Sequence, residues 1–172
     1  MNKAVFFDRD GVINQAILTN DGIRAPWLFE EFVFSDHIKE IVVELKNHKF
    51  KTIVFTNQPD VPRGFVARET VEMMNGLISR ELKLDDIFVC YHDNDDNCLC
   101  RKPKAGMLID AAKRHDVDLS ESFVIGDTWK DVEAGRAAGC RTILLNKNYN
   151  KGTTADYIVG DLNEAAKVII GD

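Results

Sequence analysis

What most constrains this chain is a repeated alternation. Short, uninterrupted apolar runs are separated by segments with helical apolar spacing, and each run leads into polar or ionisable residues. KAVFF (Lys3–Phe7) ends at Asp8, KTIVFTN near Thr56, DIFVCYH in a cysteine-rich window, SFVIGDT at Asp127 and RTILLN at Asn146. A strand with one wet face alternates apolar and polar residues, whereas a strand covered on both faces does not. Between the runs, Ile38, Ile41, Val42 and Leu45, then Val71, Met74, Ile78 and Leu82, recur at helical spacing. KAGMLIDAAKRH after Pro103 predicts a third helix, and DVEAGRAAG a short fourth closed by Gly139. DYIVG predicts a sixth strand, and DLNEAAKVII a last helix with Asp161 and Glu164 at capping-box spacing. The expected fold class is α/β: a parallel sheet doubly wound by helices. The 172 residues predict a single domain over 1–172, with no insertion long enough to house a large cap domain.

Composition removes several classes of partner. Hydrophobic residues make up 45% and charged residues 29%, as in ordinary globular proteins. No apolar run approaches the roughly 20 residues needed to span a bilayer, so no membrane partner is expected. MNKAVFFDRDG lacks the apolar core and cleavage site of a signal peptide. The expected location is therefore cytoplasmic, where thiols stay reduced. A net charge of −6 without a basic run predicts no nucleic-acid partner. The one local exception is CRKPK, where Arg101, Lys102 and Lys104 form either an anion site or a solvated loop.

In doubly wound sheets, ligands bind outside the carboxyl ends of the strands. Those ends carry DRDG (Asp8, Asp10, Gly11), TNQ (Thr56, Asn57, Gln58), Arg101 with Lys102, and GDTWKD (Gly126, Asp127, Asp131). Singly, an Asp-x-Asp is often a turn and a Gly-Asp often a helix cap. Together the carboxylates repel one another unless a cation sits among them. Asp8, Asp10 and Asp127 are hard oxygen donors of the kind Mg2+ prefers. A hydroxyl, an amide and a lysine nearby suit phosphoryl oxygens, and Gly11 permits close backbone approach. This is equipment for phosphoryl transfer to a carboxylate.

In order and spacing, DRDG, TNQ, RKPK and GDTWKD resemble the four motifs of the haloacid dehalogenase (HAD) phosphatase superfamily, over nearly the whole chain. The resemblance implies a Rossmann-like fold and an aspartyl-phosphate mechanism. It implies Asp8 as nucleophile, Asp10 as general acid and base, Thr56 as the motif-two hydroxyl and Lys102 as the motif-three lysine. Asp127 would complete a Mg2+ site with Asp8 and Asp10, and Asp131 would support it. Response-regulator receiver domains share the sheet, an acidic cluster, a Thr and a Lys. They place the phospho-acceptor after the third strand, where this chain has cysteines.

CYHDNDDNCLC holds three of the four cysteines. An EF-hand fails on Cys98 and Lys104, which stand where Gly and Glu are required. A redox Cys-x-x-Cys fails on the single residue between Cys98 and Cys100. Cys90 with His92, and Cys98 with Cys100, are two pairs spaced to point the same way on extended chain. They predict a closed Cys3His zinc site of structural type. Cys140 is expected to be a small buried residue.

The clip resembles that of the histidinol-phosphate phosphatases and the D-glycero-D-manno-heptose 1,7-bisphosphate phosphatases. TNQPDVPRG and KAGM resemble the heptose enzymes, while the short span from His92 to Cys98 resembles the histidinol enzymes. Thr128 is a departure, because the heptose enzymes usually place a Lys there. By resemblance Arg101 recognises substrate, and Asn57 and Arg63 are further candidates for binding it. The expected partner is a small phosphorylated substrate, most closely the heptose bisphosphate, with histidinol phosphate or another sugar phosphate as alternatives. The chain is expected to act as a monomer. The aromatic residues of RAPWLFEEF either line the mouth of the site or pack in the core, with core the expectation, and Trp129 is expected in packing.

Overall fold

The computed structural model describes residues 1–171. In chain order the elements are β1 (Lys3–Phe7), β2 (Ile17–Thr19), β3 (Gly22–Arg24), α1 (Ile38–Asn47), β4 (Phe50–Asn57), α2 (Arg68–Leu82), β5 (Asp86–Cys90), α3 (Gly106–His115), β6 (Phe123–Gly126), α4 (Trp129–Ala138), β7 (Arg141–Leu145), β8 (Tyr157–Val159) and α5 (Leu162–Ile170). Six strands form one sheet in the order β5-β4-β1-β6-β7-β8, and every pairing is parallel. The α/β class and the doubly wound sheet expected from the sequence are therefore present.

The continuous apolar runs have a direct cause. Along β1, Val5 and Phe7 face a core layer built with α1 and α5, while Ala4 and Phe6 face a second layer built with α3 and α4. From Ala4 to Phe7 every residue of β1 is thus buried on its own side, and none of the four positions is left for water. Strand order reverses beside β1: the chain runs outward through β4 and β5, then returns to place β6 against β1. The Asp8 amide donates to the Ile125 carbonyl at 2.9 Å, so the loops after β1 and β6 begin side by side. That reversal is where such sheets open a crevice.

Three details differ from the sequence reading. α3 starts at Gly106, not at Lys104, because residues 99–105 are folded under it. The Gly106 amide donates to the Leu99 carbonyl at 3.2 Å, and a Cβ on Gly106 would lie 2.2 Å from that oxygen. At α5, the Asp161 carboxylate accepts from the Glu164 amide at 2.9 Å, as the capping spacing predicts. The reciprocal arm reaches one residue further back, with Glu164 accepting from the Gly160 amide at 2.6 Å. The antiparallel hairpin β2-β3 has no counterpart in the sequence reading. Its strands are three residues long and largely exposed, too short to register a period of two.

α4 lies close on the sheet at Gly135. A Cβ there would meet Thr142 Cγ2 at 2.9 Å and Val124 Cβ at 3.0 Å, and both of those residues are buried. Helix propensity alone would favour Gly135→Ala by about 1 kcal/mol. Overpacking typically costs about 1–3 kcal/mol and opposes it. The expected result is a net loss of stability in urea denaturation. A variant more stable than the wild type would show that α4 can lift from the sheet.

Candidate active site

The loops leaving β1, β4, β5 and β6 border an open cleft of about 390 Å3. Asp8, Asp10, Asn57, Arg63, Arg101 and Lys102 line it, together with Asp131 at its floor. Thr56 is buried beneath, and its hydroxyl accepts from Gln58 Nε2 at 3.0 Å.

The floor is a buried ionic cluster. Lys102 Nζ donates to Asp8 Oδ1 and to Asp131 Oδ1, both at 2.6 Å, and to the Phe55 carbonyl at 3.2 Å. Both carboxylates hold its pKa above the ordinary lysine value against the opposing effect of burial. Burial pushes Asp8 well above the usual carboxylate range, with the charge of Asp131 adding and that of Lys102 opposing. Burial first, then Asp131, push Asp127 up to about 7. Asp8, Asp127 and Asp131 offer oxygens within 4.8 Å of one another, and Asp127 Oδ1 is buried without a partner. One lysine among three carboxylates leaves negative charge over. The oxygen-only donor set and the orphaned oxygen fit a hard divalent cation.

The Asp10 carboxylate is not in that cluster. Its Oδ1 accepts from Arg9 Nη2 at 2.8 Å and Asn14 Nδ2 at 3.0 Å, and its Oδ2 from Gln58 Nε2 at 2.8 Å. It is thereby fixed at the cleft wall, apart from the ions of the floor. Gly11 explains how the loops after β1 and β6 fit together: its φ is +96°, and a Cβ would lie 1.9 Å from Asp127 Oδ2. Only glycine satisfies both constraints.

The loop carrying Lys102 is held from two sides. Asn57 Nδ2 donates to the Lys102 carbonyl at 3.1 Å, and Asn57 Oδ1 accepts from the Lys102 amide at 3.0 Å. Asn57, expected as a substrate contact, therefore spends its amide on the main chain while still lining the cleft. On the other side is the cysteine window. Cys90, His92, Cys98 and Cys100 point to one centre, and all the cysteines are free thiols. The Sγ–Sγ distances are 3.8, 3.5 and 3.0 Å, and His92 Nδ1 lies 3.2 and 3.6 Å from Cys100 and Cys90. Ligands about 2.3 Å from a tetrahedral zinc sit roughly 3.8 Å apart; these separations lie at or inside that value, and the four donors converge on one centre as such an ion requires. The Arg101 amide donates to Cys98 Sγ at 3.4 Å. Arg101 Nε and Nη1 donate to Asn94 Oδ1 and the His92 carbonyl at 3.0 and 3.1 Å. Arg63 grips Asp93 of the same loop through two bonds of 2.6 and 2.7 Å. Cys140, away from this window, is buried as expected.

Thr128 has a structural task where a lysine is usual in the heptose enzymes. Its amide and hydroxyl both donate to Asp131 Oδ2, at 2.9 and 2.6 Å, starting α4 and aiming Asp131 at Lys102.

Several site residues escaped the sequence reading. Trp27 was expected in the core. It is half-buried in the cleft wall, donating from Nε1 to Asp60 Oδ2 at 2.8 Å and stacking on Phe65 at 5.0 Å. Phe32 of the same segment does pack on the core. Trp129, expected in packing, is 51% exposed. Tyr149 Oη donates to Asp127 Oδ2 at 2.5 Å, and Asn150 Nδ2 to the Asp127 carbonyl at 2.8 Å. Fully buried Arg9 also donates to Asn75 Oδ1 at 3.3 Å. Only Arg9 and Gln58 carried a signal, standing inside DRDG and TNQ.

The comparisons agree with this geometry. Residues 99–168 match the HAD-hydrolase-like family model. The D-glycero-beta-D-manno-heptose-1,7-bisphosphate 7-phosphatase of Helicobacter pylori (strain 26695) is 35% identical over 150 residues, 84% of this chain and 83% of that protein. The D-glycero-alpha-D-manno-heptose-1,7-bisphosphate 7-phosphatase of Campylobacter jejuni is 34% identical, over 87% and 86% of the two chains. The crystal structure of D,D-heptose 1,7-bisphosphate phosphatase from B. bronchiseptica, complexed with magnesium and phosphate, superposes with a TM-score of 0.86. It is 28% identical, and the match covers 98% of each chain.

The floor also sets a pH dependence. Asp127 titrates near 7 when folded, against an ordinary 3.8, so between those values the folded protein holds a proton that the unfolded chain has released. The contribution of Asp127 to the stability of the metal-free protein should therefore fall as pH rises through that window, by at most about 1.4 kcal/mol per pH unit. A divalent cation takes the proton's place. The gain in Tm from millimolar Mg2+ should be larger at about pH 8 than at about pH 5. Equal gains would place Asp127 outside the cation site.

Proposed function

The chain belongs to the HAD-like phosphatases that include the heptose-1,7-bisphosphate 7-phosphatases, and from that premise we propose that it removes the 7-phosphate of D-glycero-D-manno-heptose 1,7-bisphosphate. What carries the reading is the buried floor, where one lysine bridges two carboxylates beside a third whose Oδ1 has no partner. Mg2+ would be held by Asp8 and Asp127, with Asp10 contributing from the same loop. The ion supplies charge neutralisation at the phosphoryl oxygens when bound.

The protein's own groups account for the rest. Both hydrogen bonds to Asp8 fall on Oδ1, from the Arg9 amide at 2.7 Å and from Lys102, which leaves Oδ2 as the attacking oxygen. Oδ2 forms a bond to phosphorus as the bond to the sugar oxygen breaks, and Asp10 donates its proton to that oxygen. Asp10 then takes a proton from water, whose oxygen attacks phosphorus and releases phosphate and the Asp8 carboxylate. Lys102 and the Thr56 hydroxyl stabilise charge on the transferring group. Arg101, Arg63 and Asn57 shape and line the substrate side of the cleft.

Cys90, His92, Cys98 and Cys100 would hold a structural zinc. With no large cap, this clip shapes the substrate side by fixing Arg101 and the Lys102 loop. Burial and the neighbouring sulfurs raise the Cys100 thiol, so ion binding must release protons.

Two measurements test the reading. Asp8→Asn should lower phosphate release by at least about 10^4-fold, the scale of a lost nucleophile, and substantial turnover would remove that assignment. In the wild type, kcat/KM should be highest on one anomer of the heptose bisphosphate. A higher value on histidinol phosphate would replace the substrate. For the clip, elemental analysis should give about one zinc per chain. Stripping that zinc should lower Tm and raise KM; if neither moves, the clip has no role in the cleft.

A further inference from the structure

Besides Lys102, four cations line the cleft: Arg24, Arg63, Arg101 and Lys130. Three of them are committed. Arg24 pairs with Glu31 through bonds of 2.9 and 2.7 Å. Arg63 holds Asp93, and Arg101 holds Asn94 and the His92 carbonyl. Lys130 is different. Among the described residues its ammonium makes no hydrogen bond and no ion pair, and the Trp129 ring centroid lies 5.9 Å away.

Its surroundings make this costly. Lys130 is half-buried, and burial first, then the charge of Arg101, hold its amine below the ordinary lysine value, with Lys102 and Arg63 adding and Asp131 opposing. A long side chain on a helix's first turn can turn its head to water. This one lies in the cleft, with cations as its main charged neighbours. Such an arrangement is relieved by an anion that arrives with the ligand. The transferring phosphoryl group belongs at Asp8 and Lys102, on the floor. A cation at the cleft wall therefore serves a second anion.

We propose that Lys130 is a specificity-determining residue that binds the non-transferred phosphate of a bisphosphorylated substrate. The inference rests on the substrate reading above and adds to it the residue that distinguishes a bisphosphate from a monophosphate. The experiment compares kcat/KM on the heptose 1,7-bisphosphate and on the heptose 7-phosphate for wild type, Lys130→Met and Lys130→Arg. A lost charge-assisted contact corresponds to about a 10- to 100-fold fall on the bisphosphate. That fall should appear chiefly in KM, with less than about a threefold fall on the monophosphate, and Lys130→Arg should restore most of the ratio. If Lys130→Met keeps the wild-type ratio, or loses both substrates equally, Lys130 is not the discriminating contact. If the wild type itself shows no preference for the bisphosphate, the substrate reading falls and this inference with it.

Discussion

The ammonium of Lys102, clamped between Asp8 and Asp131 under the cleft, is the interaction on which the rest of the site depends. Two buried carboxylates facing each other would repel and take up protons; one buried cation lets both remain close. The clamp also fixes topology. Asp8 follows β1, Asp131 lies in α4 after β6, and Lys102 arrives from the far edge of the sheet after β5. Segments following three strands are tied at one nitrogen. Because Lys102 sits on an otherwise irregular loop, its position needs support, which Asn57 gives from one side and the Cys-His clip from the other.

The clip and the clamp divide the work of a missing cap. The described residues hold no separate lid over the cleft. Its wall comes instead from Trp27 and Arg24 near the small β2-β3 hairpin, from Arg63 after β4, and from the clip loop. These parts are cross-linked by charge. Arg63 joins the β4 loop to Asp93 of the clip, and Trp27 reaches Asp60 near the foot of Arg63. The rim is thus tied together by ion pairs and hydrogen bonds, with Trp27 stacked on Phe65.

Much of this was legible in the sequence, and the reason differs by element. The strands were visible because burial on both faces leaves uninterrupted apolar runs, and the helices because one face is apolar at regular spacing. Asp8, Asp10, Asp127 and Lys102 stood out because their charges fall where strands end. The hairpin was invisible, since three-residue strands carry no period. Trp27 was misplaced because an aromatic residue looks the same in a core and in a cleft wall until its indole N–H finds a partner. Tyr149 and Asn150 gave no signal at all. They lie in a polar loop after β7, and only the fold brings that loop back onto Asp127. Arg9 carried no signal beyond its place in DRDG, and it is fully buried, holding Asp10.

The grip of Tyr149 and Asn150 on Asp127 has a consequence for biosynthesis. Asp8 and Asp10 precede Asp127 by well over a hundred residues, so they are synthesised long before it. The side chains that orient Asp127 come later still, beyond β7. A nascent chain therefore carries Asp8 long before it has the groups that orient Asp127. The cluster of like charges is completed only when most of the sheet is available to hold it.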